Sequence, residues 1–248
     1  MLSYKVFKDD VQGARLYLIA TPIGNISDIS SRAKDVLSSV DIVLAEDTRN
    51  TSYLLSRLGI KPAKLISCYS QKEGEVASSL FPEIIEKKLK VAFVSDAGTP
   101  GISDPGELLV KKAWEIGLKV VPIPGPAAFV QALIVSGFET SDFSFYGFPP
   151  SKSSKAFFET LINKKETLIF YEAPHRLEKT LNTMLEVFGD RNIFIGRELT
   201  KVFEEHIKGS ISEMLSLNFD DLKGEICLVL EGNKNADSDE EKIKQAYK

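Results

Sequence analysis

Val94-Ser95-Asp96-Ala97-Gly98-Thr99-Pro100-Gly101-Ile102-Ser103-Asp104-Pro105-Gly106 decides the fold, because an apolar run enters a segment carrying three glycines, two prolines and two aspartates. Glycine lets a backbone approach a ligand closely, proline fixes the bends, and Ser95, Asp96, Thr99, Ser103 and Asp104 add polar contacts beside bare amides. A second turn, Pro122-Ile123-Pro124-Gly125-Pro126, follows the next apolar run, and a third, Thr21-Pro22-Ile23-Gly24, follows the first. Proline and glycine loops at the carboxyl ends of successive strands are where an open α/β sheet holds a ligand. Taken singly, each is equally a tight strand-to-helix turn.

Working outward, Leu16–Ala20, Ile42–Ala45, Val91–Val94 and Val120–Ile123 are short continuous apolar runs, as expected of strands buried on both faces. Between them lie helix-like segments near 30–40, 50–58, 75–88 and 105–116, each charged along one side. This alternation predicts a mainly parallel sheet. After Gly137 the pattern changes: an aromatic strand near 143–148, a helix near 153–163, then strands near 168–171, 193–198, 202–208 and 226–230. Two of these adjoin with no helix between them, so the second sheet is expected to be mixed. Ser210 and Glu213 have the spacing of a capping box. The expected domains are 1–124 and 125–232, with a polar tail over 233–248.

With 248 residues and 43% hydrophobic composition the chain can bury a proper core. No 18-residue apolar run and no signal-like N-terminus occur, so the expectation is a cytoplasmic protein without membrane association. Cys68, Cys227, His175 and His206 are too scattered for a zinc site, and no metal is expected. The net charge is −4; residues 1–124 hold 16 Lys and Arg against 15 Asp and Glu, and residues 125–248 hold 15 against 20. Bulk attraction to nucleic acid is thereby excluded, so RNA binding would need a local patch. Neither G-x-G-x-x-G nor G-x-x-x-x-G-K-[ST] occurs, which argues against a dinucleotide fold and a P-loop.

Six segments occur in order: "ATPIGNISDIS" from Ala20, "AEDTRNT" from Ala45, the Val94–Gly106 stretch, "VPIPGPAA" from Val121, "YEAPHR" from Tyr171 and "RELTK" from Arg197. Together, from about Leu16 to Glu231, they resemble the ribosomal RNA small subunit methyltransferase I family of the tetrapyrrole methylase superfamily. The resemblance implies two α/β domains with S-adenosylmethionine folded into the cleft between them, usually in a homodimer. It implies methyl transfer to the ribose 2′-hydroxyl of a decoding-region cytidine, with the small ribosomal subunit or its 16S RNA as partner. It also implies that Pro22 borders the cofactor, that Asp96, Gly98, Thr99, Pro100, Gly101, Ile102 and Ser103 wrap it, and that Ala127 and Ala128 allow close approach. Phe170 or Tyr171 would flank the adenine, with Leu199 and Cys227 near other lining strands. Asp96 has two readings: a carboxylate for the sulfonium or ribose, or an Asx-turn acceptor within its own loop.

Transfer to a hydroxyl needs alignment and removal of a proton. Three strand-end clusters offer groups for it: Glu46 and Asp47; Glu172 and His175; Glu198 and Lys201. Each is either a polar rim around the substrate nucleotide or an ion-pair network. Arg32, Arg49, Arg57, Arg176 and Arg197 are the candidate RNA contacts, with Lys152 and Lys155 beside them, because a guanidinium grips phosphate with paired bonds. Many members carry a further small helical domain after the last strand, which this sequence lacks, so RNA contacts depending on it are expected to be weaker. Rival readings are methylation of another acceptor, such as a tetrapyrrole or a modified histidine, and a ribosome-assembly factor that binds the cofactor without turnover.

Overall fold

The computed structural model describes residues 3, 13–62, 64–219 and 221–234; the expected polar tail falls almost wholly outside them. The chain divides into two compact units, Met1–Ala127 and Ala128–Lys248.

The first unit runs β1 (Arg15–Ile19), α1 (Ser31–Ser39), β2 (Ile42–Ala45), α2 (Thr48–Arg57), β3 (Leu65–Ser67), α3 (Glu73–Glu86), β4 (Lys90–Val94), α4 (Glu107–Glu115) and β5 (Lys119–Ile123). Its five strands lie in the order β3-β2-β4-β1-β5, every neighbouring pair parallel. Side chains alternate across the pleat. Ile42, Leu44, Val91 and Phe93 enter one core with Leu80, Phe81, Ile84 and Leu109 from α3 and α4. Val43, Ala45, Ala92 and Val94 enter another with Ala33, Leu37 and Leu55 from α1 and α2. Helices on both faces explain why the strands read as unbroken apolar runs. β1 and β4 are neighbours whose following helices pass to opposite faces, so the carboxyl ends of these two strands form the sheet's switch point.

The second unit runs α5 (Ala128–Ser136), β6 (Phe143–Phe145), α6 (Ser154–Glu159), β7 (Thr167–Glu172), α7 (Leu177–Phe188), β8 (Asn192–Arg197), β9 (Glu205–Ser210), α8 (Ile211–Leu215) and β10 (Ile226–Leu230). The strand order is β6-β7-β10-β8-β9, with β6 and β7 parallel and the other pairs antiparallel, so the sheet is mixed as expected. Phe158, Phe170, Leu181, Met184 and Leu228 form the core under α6, α7 and α8, while α5 packs against β7, β8 and β10. The capping box at Ser210 is present, both halves formed. Each unit holds one buried free cysteine, Cys68 and Cys227. Burial pushes the Cys68 thiol up to about 12, with Glu73 adding to the effect, and raises Cys227 as well.

Candidate active site

In the first unit the loops leaving β1, β2, β4 and β5 gather at the carboxyl edge of the sheet. Thr21 and Gly98 exchange backbone hydrogen bonds across the switch point, Thr21 N–H to Gly98 O at 2.8 Å and Gly98 N–H to Thr21 O at 3.1 Å. The buried Thr21 hydroxyl donates to Ser95 O at 3.4 Å, and the Thr99 hydroxyl donates to Pro126 O at 3.0 Å, tying the Pro-Gly-Pro turn to the glycine loop. Gly98 and Gly101 have φ of 74° and 82°, the left-handed region that glycine enters without a steric penalty. Ser103 shares that region at 60°. At Gly125 a Cβ would stand 2.9 Å from Ala20 Cβ, so the turn after β5 needs glycine to pass β1. Gly98 and Pro100 are buried, Pro22 and Thr99 half-buried, and Gly101, Ile102 and Ser103 exposed. The loop thus presents its second half outward.

Beside it the acid pair at the end of β2 is divided in character. Asp47 caps α2, accepting from Arg49 N–H at 2.8 Å, and its carboxylate also takes Arg49 Nε and Nη2, the latter at 2.5 Å. The Arg49 side chain, followed by its backbone N–H, holds the Asp47 carboxyl down to about 2. Glu46 is raised above its ordinary value by burial, with Asp96, Asp47 and Glu73 adding like charge, although it accepts a hydrogen bond from Asp96 N–H at 3.2 Å. The surroundings thus drive two adjacent carboxyls apart, Asp47 becoming the stronger acid and Glu46 the weaker. Asp96 accepts from Asp47 N–H at 3.2 Å and from Asn50 Nδ2 at 2.9 Å, bracing the glycine loop on the start of α2. Asn50 falls within the "AEDTRNT" segment, but its partner appears only once β2 and β4 lie side by side. Arg57 and Arg32 are exposed on α2 and α1.

In the second unit, Glu172 and Arg197 both pair with Ile226 of β10. The "YEAPHR" and "RELTK" segments therefore leave the same edge of the sheet, one strand apart. Glu172 is fully buried and accepts from Ala173 N–H at 2.8 Å and the Thr180 hydroxyl at 2.6 Å, with Arg176 Nε at 3.3 Å. Arg176 also donates to Pro149 O at 2.7 Å. Lys201 Nζ pairs with Glu198 at 2.8 Å and Glu225 at 3.0 Å, and Arg197 Nε with Glu205 at 2.8 Å. Burial works against the Glu198 anion, but Lys201, the Glu225 N–H and Arg197 outweigh it and hold the carboxyl below its usual range. Glu198 and Thr200 have φ of 51° and 68°, strained for residues with a Cβ, and the loop they shape leaves Val202 and Phe203 exposed. His175 is exposed, as is Lys152, while Lys155 pairs with Glu186.

Phe170 has no exposed surface and stacks on Tyr146 at 5.5 Å within the core. Its neighbour Tyr171 points to the other face, where its hydroxyl accepts from Phe129 N–H at 3.2 Å and Phe145 meets its ring edge-on at 4.9 Å. Leu199 and Cys227 are buried; Ala127 and Ala128 are half-buried where the two units meet in sequence. A cavity of about 460 Å³ lined by Arg191, Asn192 and Glu231 lies at the opposite end of β7 and β8 from Glu172 and Arg197. Among the described residues no group of three or more His, Cys, Asp or Glu is placed to hold a metal ion, and no helix is long and apolar enough to cross a membrane.

Residues 15–215 match the family model of the tetrapyrrole (corrin/porphyrin) methylases. The chain is 48% identical over 229 residues to the ribosomal RNA small subunit methyltransferase I of Bacillus subtilis, covering 91% of this chain and 78% of that one. It is 46% identical over 240 residues to the Streptococcus pyogenes serotype M1 protein of the same name, covering 96% and 83%. The fold matches the crystal structure of uroporphyrin-III-C-methyltransferase from Thermus thermophilus with a TM-score of 0.62 at 16% identity, over 88% of this chain and 94% of that one. The chain belongs to the tetrapyrrole (corrin/porphyrin) methylase family, with proteins named ribosomal RNA small subunit methyltransferase I among its relatives.

Proposed function

We propose that the chain transfers a methyl group from S-adenosylmethionine to the ribose 2′-hydroxyl of a decoding-region cytidine in 16S RNA. It acts on the small ribosomal subunit, in the cytoplasm and as a homodimer. The observation that carries the reading is the 48% identity over 91% of the chain to a protein named for methylating small-subunit RNA. The motifs at the ends of β1, β2, β4, β5, β7 and β8 support the finer assignment to the ribose of a cytidine.

The residues fit the cofactor. Glycines with positive φ keep Cβ atoms out of a loop that also offers the Ser103 hydroxyl and the apolar Ile102 side chain, a mixture suited to a nucleoside joined to an amino acid. When bound, the cofactor supplies a methyl group already activated on a positively charged sulfur. The protein's own share is alignment and proton removal. Within the first unit the Gly98–Ser103 loop, with Pro22 and Ala127, would hold the ligand through the main chain. Asp96 keeps that loop in register with α2. Glu46 takes the proton leaving the 2′-hydroxyl, because its raised affinity for a proton suits a base better than that of Asp47, which Arg49 holds as an anion. Glu172, with Thr180 and Arg176, fixes the start of α7 and so the exposed His175; Glu198 and Lys201 fix the loop beyond Arg197. Arg32, Arg49, Arg57, Arg176 and Arg197 meet phosphates.

The test is incubation with labelled S-adenosylmethionine and small subunits from a strain lacking the modification, followed by mapping of the labelled nucleotide. Label on a cytidine 2′-oxygen in the decoding region is expected. Subunits left unlabelled while the protein binds the cofactor would overturn the assignment.

A further inference from the structure

Residues 48–64 contain Arg49, Arg57, Lys61 and Lys64 and no aspartate or glutamate, in a chain whose net charge is −4. This run of cations is what an acidic chain needs locally in order to hold a polyanion, with Asp47 paired to Arg49 and Glu83 within electrostatic reach of Lys64. Thr51 and Leu55 bury one side of α2. Arg49, Tyr53 and Arg57, spaced four apart, line up on the outer side. Tyr53 is 64% exposed, far beyond what a core aromatic shows. Its hydroxyl accepts from Arg57 Nη1 at 2.9 Å, and the guanidinium carbon lies 5.7 Å from the ring centroid. The ring is therefore held in place while remaining open to solvent. The same helix begins at Asp47, next to Glu46, so whatever lies along its outer face leads to the acid pair.

We propose that Tyr53 is a stacking platform for an unpaired base of the substrate RNA, with Arg57, Lys61 and Lys64 gripping the adjoining phosphates. The proposal rests on the reading of the chain as an RNA methyltransferase. Single-stranded RNA is recognised by splaying bases onto aromatic and guanidinium planes, and a tyrosine already anchored by a neighbour loses little conformational freedom on stacking. Arg49 is shared with Asp47, so Arg57 at the end of α2, with Lys61 and Lys64 in the segment that follows, carries most of the electrostatic share. A protein partner would be expected to bury a wider apolar area than a lone ring framed by cations. Tyr53 thereby sets which nucleotide beside the reacting one is held, and acts on binding more than on the chemical step.

The test compares Tyr53→Ala, Tyr53→Phe and Arg57→Gln with the unaltered protein in equilibrium binding to 16S RNA and in methyl transfer to small subunits. Tyr53→Ala is expected to weaken RNA binding roughly tenfold and raise KM similarly, with kcat and cofactor affinity little changed. Tyr53→Phe should restore most of the loss, because the ring and not its hydroxyl meets the base. Arg57→Gln should reduce the salt dependence of binding by about one phosphate contact, whereas Tyr53→Ala should leave that slope alone. Unchanged RNA affinity in Tyr53→Ala, or a loss in Tyr53→Phe as large as in Tyr53→Ala, would overturn the platform. Binding is read without turnover, so RNA held through Tyr53 by a protein that transfers no methyl group would support the surface while overturning the reaction.

Discussion

Glu46 and Asp47 are chemically near-identical neighbours, and their surroundings separate them. Glu46 has its folded value raised above 4.5, so the folded protein binds its proton more tightly than the unfolded chain does. Its charged form is therefore a burden on stability that is absent below the unfolded value and appears as pH rises through the folded one. Glu46→Gln should lose methyl transfer at all pH values yet be no less stable than the unaltered protein at neutral pH, as read by chemical denaturation. In the unaltered protein, single-turnover rates should fall as pH drops through a value above 4.5. A rate that keeps its full value down to 4.5, or a fully active Glu46→Gln, would remove Glu46 as the base. Gly98 is the second residue at which the proposed site can be tested. At φ of 74°, with Ile23 Cγ2 only 3.2 Å from where a Cβ would stand, Gly98→Ala should cost about 1–3 kcal/mol of stability and weaken cofactor binding measured by calorimetry. Unchanged affinity would show that the ligand does not approach this loop.

Elements were legible where burial is two-sided. Ile42–Ala45 and Ile226–Leu230 stand out as unbroken apolar runs and form β2 and β10 with those bounds. Legibility fails where apolar residues are not buried. Val202 and Phe203 suggest a strand beginning at 202, but they project from the strained loop and β9 begins at Glu205. Helix α5 is apolar around most of its circumference and so lacks the polar face that marks a helix. β3 has only three half-buried residues to announce it. In the candidate site, the glycine loop could be read from composition, whereas Asp96 meeting Asp47 and Asn50 depends on β2 lying beside β4, which no local pattern encodes. Tyr53 was equally hidden, because an aromatic in a helix reads as core by default. Helix α3 runs straight through Pro82, which lies on its exposed side and leaves Ser78 O without the usual donor. Pro82→Ala should stabilise the protein by about 2 kcal/mol, the helix gain of about 3 less the unfolded-chain advantage of proline. Thermal unfolding measures it; a lowered midpoint would mean that proline itself is favoured at this position of α3.

For the molecule as a whole, charge decides how substrate is held. A chain with 35 acidic and 31 basic residues cannot gather RNA by net attraction, so binding depends on a shaped surface with local cations. Under the proposed function, small subunits, or a large folded piece of their RNA, should be methylated far faster than a short hairpin carrying the proposed cytidine. Parallel assays on particles, naked 16S RNA and the hairpin measure this, and equal rates on all three would refute it. The two buried cysteines bear on a different property of the molecule. Cys68 belongs to the first unit and Cys227 to the second, each fully enclosed and with its thiol raised by burial, so neither reacts in the closed state. Each is exposed only when its own unit opens. The chain therefore carries one chemical clock per unit, and the two labelling rates record whether the halves breathe together or separately.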